Sequence, residues 1–187
     1  MDPSWSGDLL SATWKRLQRA SDDPADSMRV MTLASVTPEG RPAARLMVIR
    51  GVDASRRTIW CHTRSPAAKI ADFRACPFFA LIAWDRAESV QLRITGAVRV
   101  HEADATASAH HEQSGLLRML AAIQGSQSSR TQPDLLWPGS VEGLQHEMRR
   151  DAARHFAVLE MLAEQIHWSR VEGDKTSERR FNLSGAE

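Results

Sequence analysis

The sequence predicts a mainly β protein of the α+β class, in which an antiparallel sheet of about six to seven strands closes into a barrel with peripheral helices. Runs rich in Val, Ile, Thr, Phe and Trp recur along the chain and are separated by turn-forming residues. One run, FFALIAW at 78–84, is almost wholly apolar, so both faces of that strand need cover. A closed barrel packed by helices or by a second subunit provides that cover.

The N-terminal half begins with a helix and a strand pair. Apolar residues at spacings of three and four predict a helix over about residues 4–20, with one face formed by Trp5, Leu9, Leu10, Trp14 and Leu17. Residues 28–36 and 44–53 have β-branched character and flank the turn TPEGRP. We expect these two segments to form a hairpin.

Three further strands and a short helix follow. The strands are predicted over 57–63, 78–84 and 90–100. Between the first two, Pro66 suits the first turn of a helix and Pro77 marks its stop. The sequence therefore places one short helix between the third and fourth strands.

The C-terminal half combines a helix, a long loop and two strands. Residues 102–123 show helical spacing, and 125–143 are rich in Ser, Gln, Gly and Pro, so we expect a helix and a long loop over about 102–150. Two strands around the turn GDKTSE complete a barrel predicted over about 28–100 and 155–184. At 187 residues, the whole chain is expected to be one domain.

Charge and composition exclude several classes of protein. Lys and Arg total 24 against 23 Asp and Glu, and a net charge of +1 creates no field that attracts nucleic acid or a membrane surface. The first residues do not form a signal peptide, and no apolar run approaches the length of a membrane span. Cys61 and Cys76 lack a CxxC pattern, which suits a reducing cytoplasm.

Patterns typical of metal sites and hydrolases are missing or incomplete. His110 and His111 are adjacent, so on a helix they point about 100 degrees apart and cannot easily share an ion. His146-Glu147 begins an HExxH pattern that lacks its second His. Neither a GxSxG elbow nor a Walker-type loop occurs. We expect no metal site.

Five strings occur in a characteristic order: RLMVIR at 45–50, His62-Thr63, Lys69 seven residues after His62, QLRITG at 91–96, and QSSR at 127–130. Their order and spacing resemble the FMN-binding split barrels of the pyridoxamine 5'-phosphate oxidase-like group. The resemblance covers about residues 28–130, and it continues more weakly through 166–168 and 179–181. It implies a Greek-key-like split barrel and a homodimer with FMN at the subunit interface.

The resemblance also implies a role for each matching residue. Arg45 and Lys69 match phosphate-binding positions, and Arg50 matches a Lys close to both flavin and substrate. His62 and Thr63 match positions against the cofactor. The strand that lines the isoalloxazine ring is matched by Leu46, Met47, Val48 and Ile49. The hydrogen-bonding positions are matched by Gln91, Gln127 and Ser128. The C-terminal contacts are matched by Trp168 and Arg180. No catalytic residue is assigned.

Strand geometry raises a difficulty for two of these residues. On a regular strand Arg45 and Arg50 face opposite sides, because successive side chains alternate. If both serve one site, the strand must bend near its end. We expect such a bend.

Departures from the family pattern narrow the function. Ala68 stands where a second cation normally precedes the Lys, and residues 109–118 lack the Tyr, Arg and Ser trio of vitamin-phosphate binding. The resemblance therefore implies an FMN-dependent oxidoreductase of unknown substrate, with vitamin B6 oxidation disfavoured. The alternative is a non-catalytic flavin- or haem-binding or storage protein. Removing the Arg45 and Lys69 side chains is expected to release FMN and leave the fold intact.

Overall fold

A computed structural model describes residues 3–65, 67–114 and 155–183. Within these ranges the chain forms three α-helices and seven β-strands. A single 3-10 turn, Ser27–Arg29, precedes the first strand. In chain order the elements are α1 (Pro3–Asp22), β1 (Val30–Val36), β2 (Pro42–Asp53), β3 (Thr58–Arg64), α2 (Ala68–Ala75), β4 (Phe78–Asp85), β5 (Val90–Glu102), α3 (Ala105–Ser114), β6 (Phe156–Glu172) and β7 (Lys175–Asn182).

The strands form one sheet in the order β3-β2-β1-β4-β5-β6-β7, and β3 also pairs with β6. This extra pairing closes six strands into a barrel, and β7 extends the sheet beyond β6. Because β4 returns to lie beside β1 after the β1-β2-β3 meander, the connection is a Greek key. The predicted fold class, an antiparallel Greek-key-like barrel of six to seven strands with peripheral helices, is confirmed.

The chain divides into two compact units. Unit 1 consists of Met1–His62, Ala68–Val100 and Leu159–Glu187, and among its described residues it holds the barrel strands, α1 and α2. Unit 2 consists of Thr63–Ala67 and His101–Val158. Within the described part of unit 2, α3 carries His111, whose ring packs edge-on against Phe156 with centroids 5.3 Å apart. The single-domain assignment stays a prediction.

Alternation along the strands builds the barrel core. On β1, Met31 and Leu33 are buried and their neighbours are more exposed. The backbones of β5 and β6 approach closely at Gly96, where a Cβ atom would lie 2.0 Å from the carbonyl oxygen of Leu162. Only glycine fits at this point.

Helix α1 packs against β2 through the face that its sequence predicts, with Trp14 and Leu17 buried. The buried guanidinium of Arg29 donates hydrogen bonds to the carbonyl oxygens of Ala20 and Ser21, in the last turn of the helix. A cation at this end also opposes the negative pole of the helix dipole. Arg29 therefore ties the end of α1 to the start of the barrel.

Element boundaries differ from the sequence predictions in two places. Residues 28–29 belong to the 3-10 turn, because the side chain of Asp26 accepts a hydrogen bond from the backbone NH of Met28 and caps that turn. The helix expected from residue 102 begins at Ala105, because β5 continues to Glu102. The long loop predicted at 125–143 lies outside the described residues. Among the described helices, none is long and apolar enough to span a membrane.

A salt bridge between α1 and the barrel predicts acid sensitivity. Arg16 donates to Asp85 at 2.8 Å and also pairs with Asp26, and both carboxylates are almost fully buried. The hydrogen bond from Arg16 lowers the pKa of Asp85. The salt bridge with Asp85 therefore stabilises the protein fully above the pKa of an unfolded Asp, about 4. This stabilisation is lost as the pH falls through the lower pKa that Asp85 has in the folded protein.

We predict that Arg16→Gln lowers the free energy of unfolding at pH 7 by about 3 kcal/mol, because the buried Asp85 carboxylate loses its cation and Asp26 keeps only the exposed Arg19. The deficit should shrink below pH 4, and urea denaturation across pH 2–7 measures it. Arg19→Gln is the control, since the Arg19 side chain is 65% exposed and lies 3.4 Å from Asp26. A constant Arg16→Gln deficit at every pH would contradict this account.

Candidate functional site

Strand β2 presents the predicted site residues on two different faces of the sheet. Arg45, Met47 and Ile49 point inward, with Met47 8% and Ile49 0% exposed. Leu46 and Val48 point outward, and Leu46 is 71% exposed. The side chains of Met47 and Ile49 are therefore core residues, and those of Leu46 and Val48 lie on the outer face of the sheet.

The expected bend of β2 occurs at Arg50. Ile49 pairs with Cys61 and Gly51 pairs with Trp60, so β2 advances two residues while β3 advances one. Arg50 is the additional residue of a β-bulge, and the buried positions shift from Ile49 to Val52. The predicted distortion between Arg45 and Arg50 is confirmed.

Two cations, Arg50 and Lys69, act on the buried thiol of Cys61, and a third, Arg45, acts on Lys69. We call Arg45, Arg50 and Lys69 the cation cluster. Burial raises the pKa of Cys61 to about 12, and the two nearby cations offset this only in part. The thiol is therefore neutral at physiological pH, and no anion is formed there.

Lys69 lies in the first turn of α2 and is the helix residue of the cation cluster. Burial lowers the pKa of Lys69, and the positive charge of Arg45 lowers it further. Cys61 and Asp72 act in the opposite direction. Mutual repulsion between Arg45 and Lys69 is the pattern expected where a protein gathers positive charge for an anionic ligand.

Arg45 is held by a hydrogen-bonded network with two buried residues. One terminal nitrogen of its guanidinium donates to Ser35 Oγ at 2.6 Å, and the other donates to Asp72 Oδ2 at 3.0 Å. Ser35 Oγ in turn donates to the same Asp72 oxygen at 2.6 Å. Asp72 is 3% exposed, and Ser35 is 5% exposed. The network joins β1, β2 and α2.

This network revises one expectation from the sequence. Removing the Arg45 side chain alone would leave the Asp72 carboxylate buried without its cation, which typically costs about 3–5 kcal/mol. Arg45 therefore supports the fold as well as the candidate site. The ion pair of Asp72 is formed with Arg45, so removing the Lys69 side chain does not break it.

Asp72 and Ser35 are the site residues that sequence reasoning missed. One signal was available for Asp72: it lies three residues after Lys69, so both residues share one face of α2. Ser35 gave no signal, because its contact with Arg45 depends on the pairing of β1 with β2. A small polar residue in an otherwise apolar strand is compatible with many roles.

The other predicted residues are distributed around the barrel. Gln91 is half-buried on the outer face of β5, in register with Trp84 of β4. His62 and Thr63 are half-buried on β3, His62 in unit 1 and Thr63 in unit 2. Gln127 and Ser128 lie outside the described residues, so their predicted roles stay predictions.

The register of β6 and β7 places Trp168 and Arg180, the two predicted C-terminal contacts, on different faces of the sheet. Trp168 is 9% exposed and pairs with Arg179, whereas the exposed Arg180 pairs with His167. Directly opposed residues of an antiparallel pair share a face. Trp168 and Arg180 therefore point to opposite faces, and Arg179 is the arginine beside Trp168.

His167 lies on the same face of the sheet as Arg180 and contacts Arg93 on β5. Its Nδ1 lies 3.1 Å from an Arg93 terminal nitrogen, and its Nε2 lies 3.3 Å from Glu178 Oε2. Since Arg93 can only donate, Nδ1 accepts and the Nε2 proton is directed at Glu178. This row is an exposed polar network on β5, β6 and β7.

The geometry on β2, β3 and α2 suits an anion. Guanidinium and ammonium groups form charge-assisted hydrogen bonds with phosphate, and each contributes about 1.5–3 kcal/mol. The described residues contain no group of three His, Cys, Asp or Glu placed to hold a metal ion. The candidate site is therefore a cationic one.

Comparisons with known proteins identify the family of this chain. The family model described as pyridoxamine 5'-phosphate oxidase matches residues 19–138. A pyridoxine/pyridoxamine 5'-phosphate oxidase of Gluconobacter oxydans is 30% identical over 119 residues, which cover 64% of this chain and 57% of that protein. The chain thus matches a little over half the length of this curated relative.

Solved structures share the fold at low sequence identity. A pyridoxamine 5'-phosphate oxidase-related, FMN-binding protein of Nostoc punctiforme has a TM-score of 0.60 and 18% identity, with 97% of this chain and 98% of that chain covered. A haem-binding protein of Mycobacterium smegmatis has a TM-score of 0.53 and 16% identity, with 90% and 58% covered.

The family model spans more than half of the chain and includes β1 to β5 with the whole cation cluster. On this ground the chain belongs to the pyridoxamine 5'-phosphate oxidase family.

Proposed function

We propose that this protein binds FMN and holds the phosphate of the cofactor with the cation cluster. The observation that carries the proposal is that Lys69 of α2 experiences the positive charge of Arg45 on β2, and that Arg50 at the bulge acts with Lys69 on Cys61. The chain as a whole has a net charge of only +1, so this is a local concentration of positive charge. Such a concentration in a folded protein favours a dianionic ligand group.

The residues outside the cluster supply the other contacts that FMN needs. The isoalloxazine ring is flat and partly apolar, with amide-like edges, so it requires apolar walls and hydrogen-bonding partners. Leu46 and Gln91, both on outer faces of the sheet, are of these two types. The Nostoc punctiforme protein that shares this fold binds FMN, which supports the same choice of cofactor.

The proposed activity is an oxidoreduction of a small molecule. Bound FMN supplies hydride or electron transfer, and the protein supplies position and exclusion of water. The substrate is left open, because residues 109–118 lack the Tyr, Arg and Ser trio associated with vitamin-phosphate binding. Free thiols at Cys61 and Cys76 suit a cytoplasmic location, which is part of the proposal.

A second candidate is a protein that binds flavin or haem without turnover. It is favoured by the fold shared with the haem-binding protein of Mycobacterium smegmatis. Absorbance after incubation with FMN or with haem identifies the ligand. Reduction by NAD(P)H followed by reoxidation by an acceptor, over many cycles, would favour the oxidoreductase over the binding protein.

We also propose a homodimer with FMN at the subunit interface. Among the described residues, six of the eight exposed large apolar side chains lie on one face of β2, β1 and β4. We call this surface the outer apolar face: Val30, Val36, Leu46, Phe78, Ile82 and Trp84.

The strand register places the outer apolar face on one side of the sheet. Leu46 pairs with Thr32, Thr32 pairs with Ile82, and Ile82 pairs with Arg93, so one row with both apolar and polar members crosses four strands on the same side. A group of large exposed apolar side chains on one side of a sheet, with polar residues at its edge, is typical of a protein–protein contact. A second copy of the chain is the partner that the proposal names, and a twofold contact buries the same face of both subunits.

We predict that Lys69→Gln raises the Kd for FMN about 10- to 100-fold, because one charge-assisted contact to phosphate is lost. Fluorescence titration measures this, and the Kd for riboflavin, which lacks the phosphate, should hardly change. Lys175→Gln is the matched control, since Lys175 is an exposed lysine on β7. An unchanged Kd for FMN would refute the assignment of Lys69, and no binding by the wild-type protein would refute FMN.

We predict that Phe78→Glu converts the protein to a monomer, because Phe78 is 60% exposed on the outer apolar face and opposes Ala97, so each new carboxylate would lose its water in the contact without a cation opposite it on the neighbouring strand. Light scattering gives the mass, and flavin titration shows whether FMN binding is lost with the dimer. Val171→Glu is the control, since Val171 is 44% exposed on β6, outside this face. A wild-type monomer that binds FMN fully would overturn the proposed placement.

A further inference from the structure

A buried carboxylate, that of Asp72, lies beside the cation cluster. Asp72 is 3% exposed, and its Oδ2 accepts hydrogen bonds from both Arg45 and Ser35. The carboxylate therefore receives two short contacts of 3.0 and 2.6 Å at one oxygen. A buried carboxylate held this closely is a fixed part of the site.

The effect of Asp72 extends beyond Arg45. Its charge also acts on Lys69, where it opposes the repulsion from Arg45. Arg45, Arg50 and Lys69 carry one positive charge each, and Asp72 carries one negative charge. The cluster with Asp72 therefore has a formal charge of +2, which a phosphate monoester dianion would neutralise.

Arg45 has donors to spare for a ligand. A guanidinium has five N–H groups, and the contacts to Ser35 and Asp72 involve its two terminal nitrogens. A phosphate that bonds to Arg45 must nevertheless share the cation with a carboxylate 3.0 Å away. Two anions that share one buried cation repel each other.

We propose that Asp72, held by Ser35, is the internal counter-ion of the cation cluster, and that ligand phosphate competes with it for Arg45. This inference rests on the proposed FMN site and adds a residue that sets its affinity. Without ligand, the negative charge of Asp72 stabilises the protein because it offsets the mutual repulsion of the cations. The same negative charge repels a phosphate and so weakens phosphate binding.

The test uses Asp72→Asn, which keeps an oxygen acceptor for Arg45 and Ser35 and removes the charge. Two effects of opposite sign are expected. The ligand-free protein should lose about 5 °C in Tm. The Kd for FMN should fall about tenfold, while the Kd for riboflavin stays the same, because only FMN carries the phosphate.

Inorganic phosphate is the third probe, because it reports on the cluster without the flavin ring. The Tm gained from a fixed phosphate concentration should be larger in Asp72→Asn than in the wild-type protein. If FMN fails to bind but this larger gain remains, FMN is the wrong ligand and the counter-ion role stands. If FMN binds and its Kd does not fall in the variant, the counter-ion role is wrong.

Two further variants keep the inference falsifiable. Asp85→Asn removes another buried carboxylate paired with an arginine, Arg16 at 2.8 Å, and should lower Tm with no gain in phosphate affinity. If Asp72→Asn fails to fold, Asp72→Ser decides, because it also removes the charge and keeps a hydroxyl oxygen on α2. It should lower the Kd for FMN about tenfold, with riboflavin unchanged. Equal or weaker FMN binding in Asp72→Ser would overturn the proposal.

Discussion

A buried carboxylate requires a cation, and in this protein Asp72 receives it from Arg45 at 3.0 Å. That requirement fixes much of the surrounding structure. Helix α2 must lie where Asp72 reaches the inner face of β2, and β1 must bring Ser35 to the same point. Lys69, one helical turn before Asp72, is then delivered beside Arg45 without a separate constraint.

The bulge at Arg50 is the second constraint, and it acts on the same strand. A regular β2 would send Arg45 and Arg50 to opposite sides of the sheet. One additional residue between Ile49 and Gly51 changes the phase of alternation for the residues that follow. Arg50, at the bulge itself, acts on Cys61 together with Lys69. The hydrophobic core is preserved because Val52 takes over the inward position.

The sequence was sufficient where the signal is local. Periodicity and turn residues predicted α1, the strands and α2, and the family resemblance proposed Arg45 and Lys69 as phosphate-binding residues and Arg50 as a residue near the flavin. Contacts that depend on strand pairing were beyond it. Asp72 and Ser35 meet Arg45 only through the register of β1 with β2 and the placement of α2. The same limit explains Trp168, which the register of β6 and β7 places beside Arg179 and not Arg180.

The closing contact between β3 and β6 joins Arg57 to Ala163 through a backbone hydrogen bond of 2.8 Å, although most of the chain lies between these residues. During synthesis, β3 emerges from the ribosome long before its second neighbour exists. Its open edge is then available to other chains, and closing a long loop is entropically slow. Expression at lower temperature, which slows aggregation relative to closure, is thus a natural condition for producing this protein.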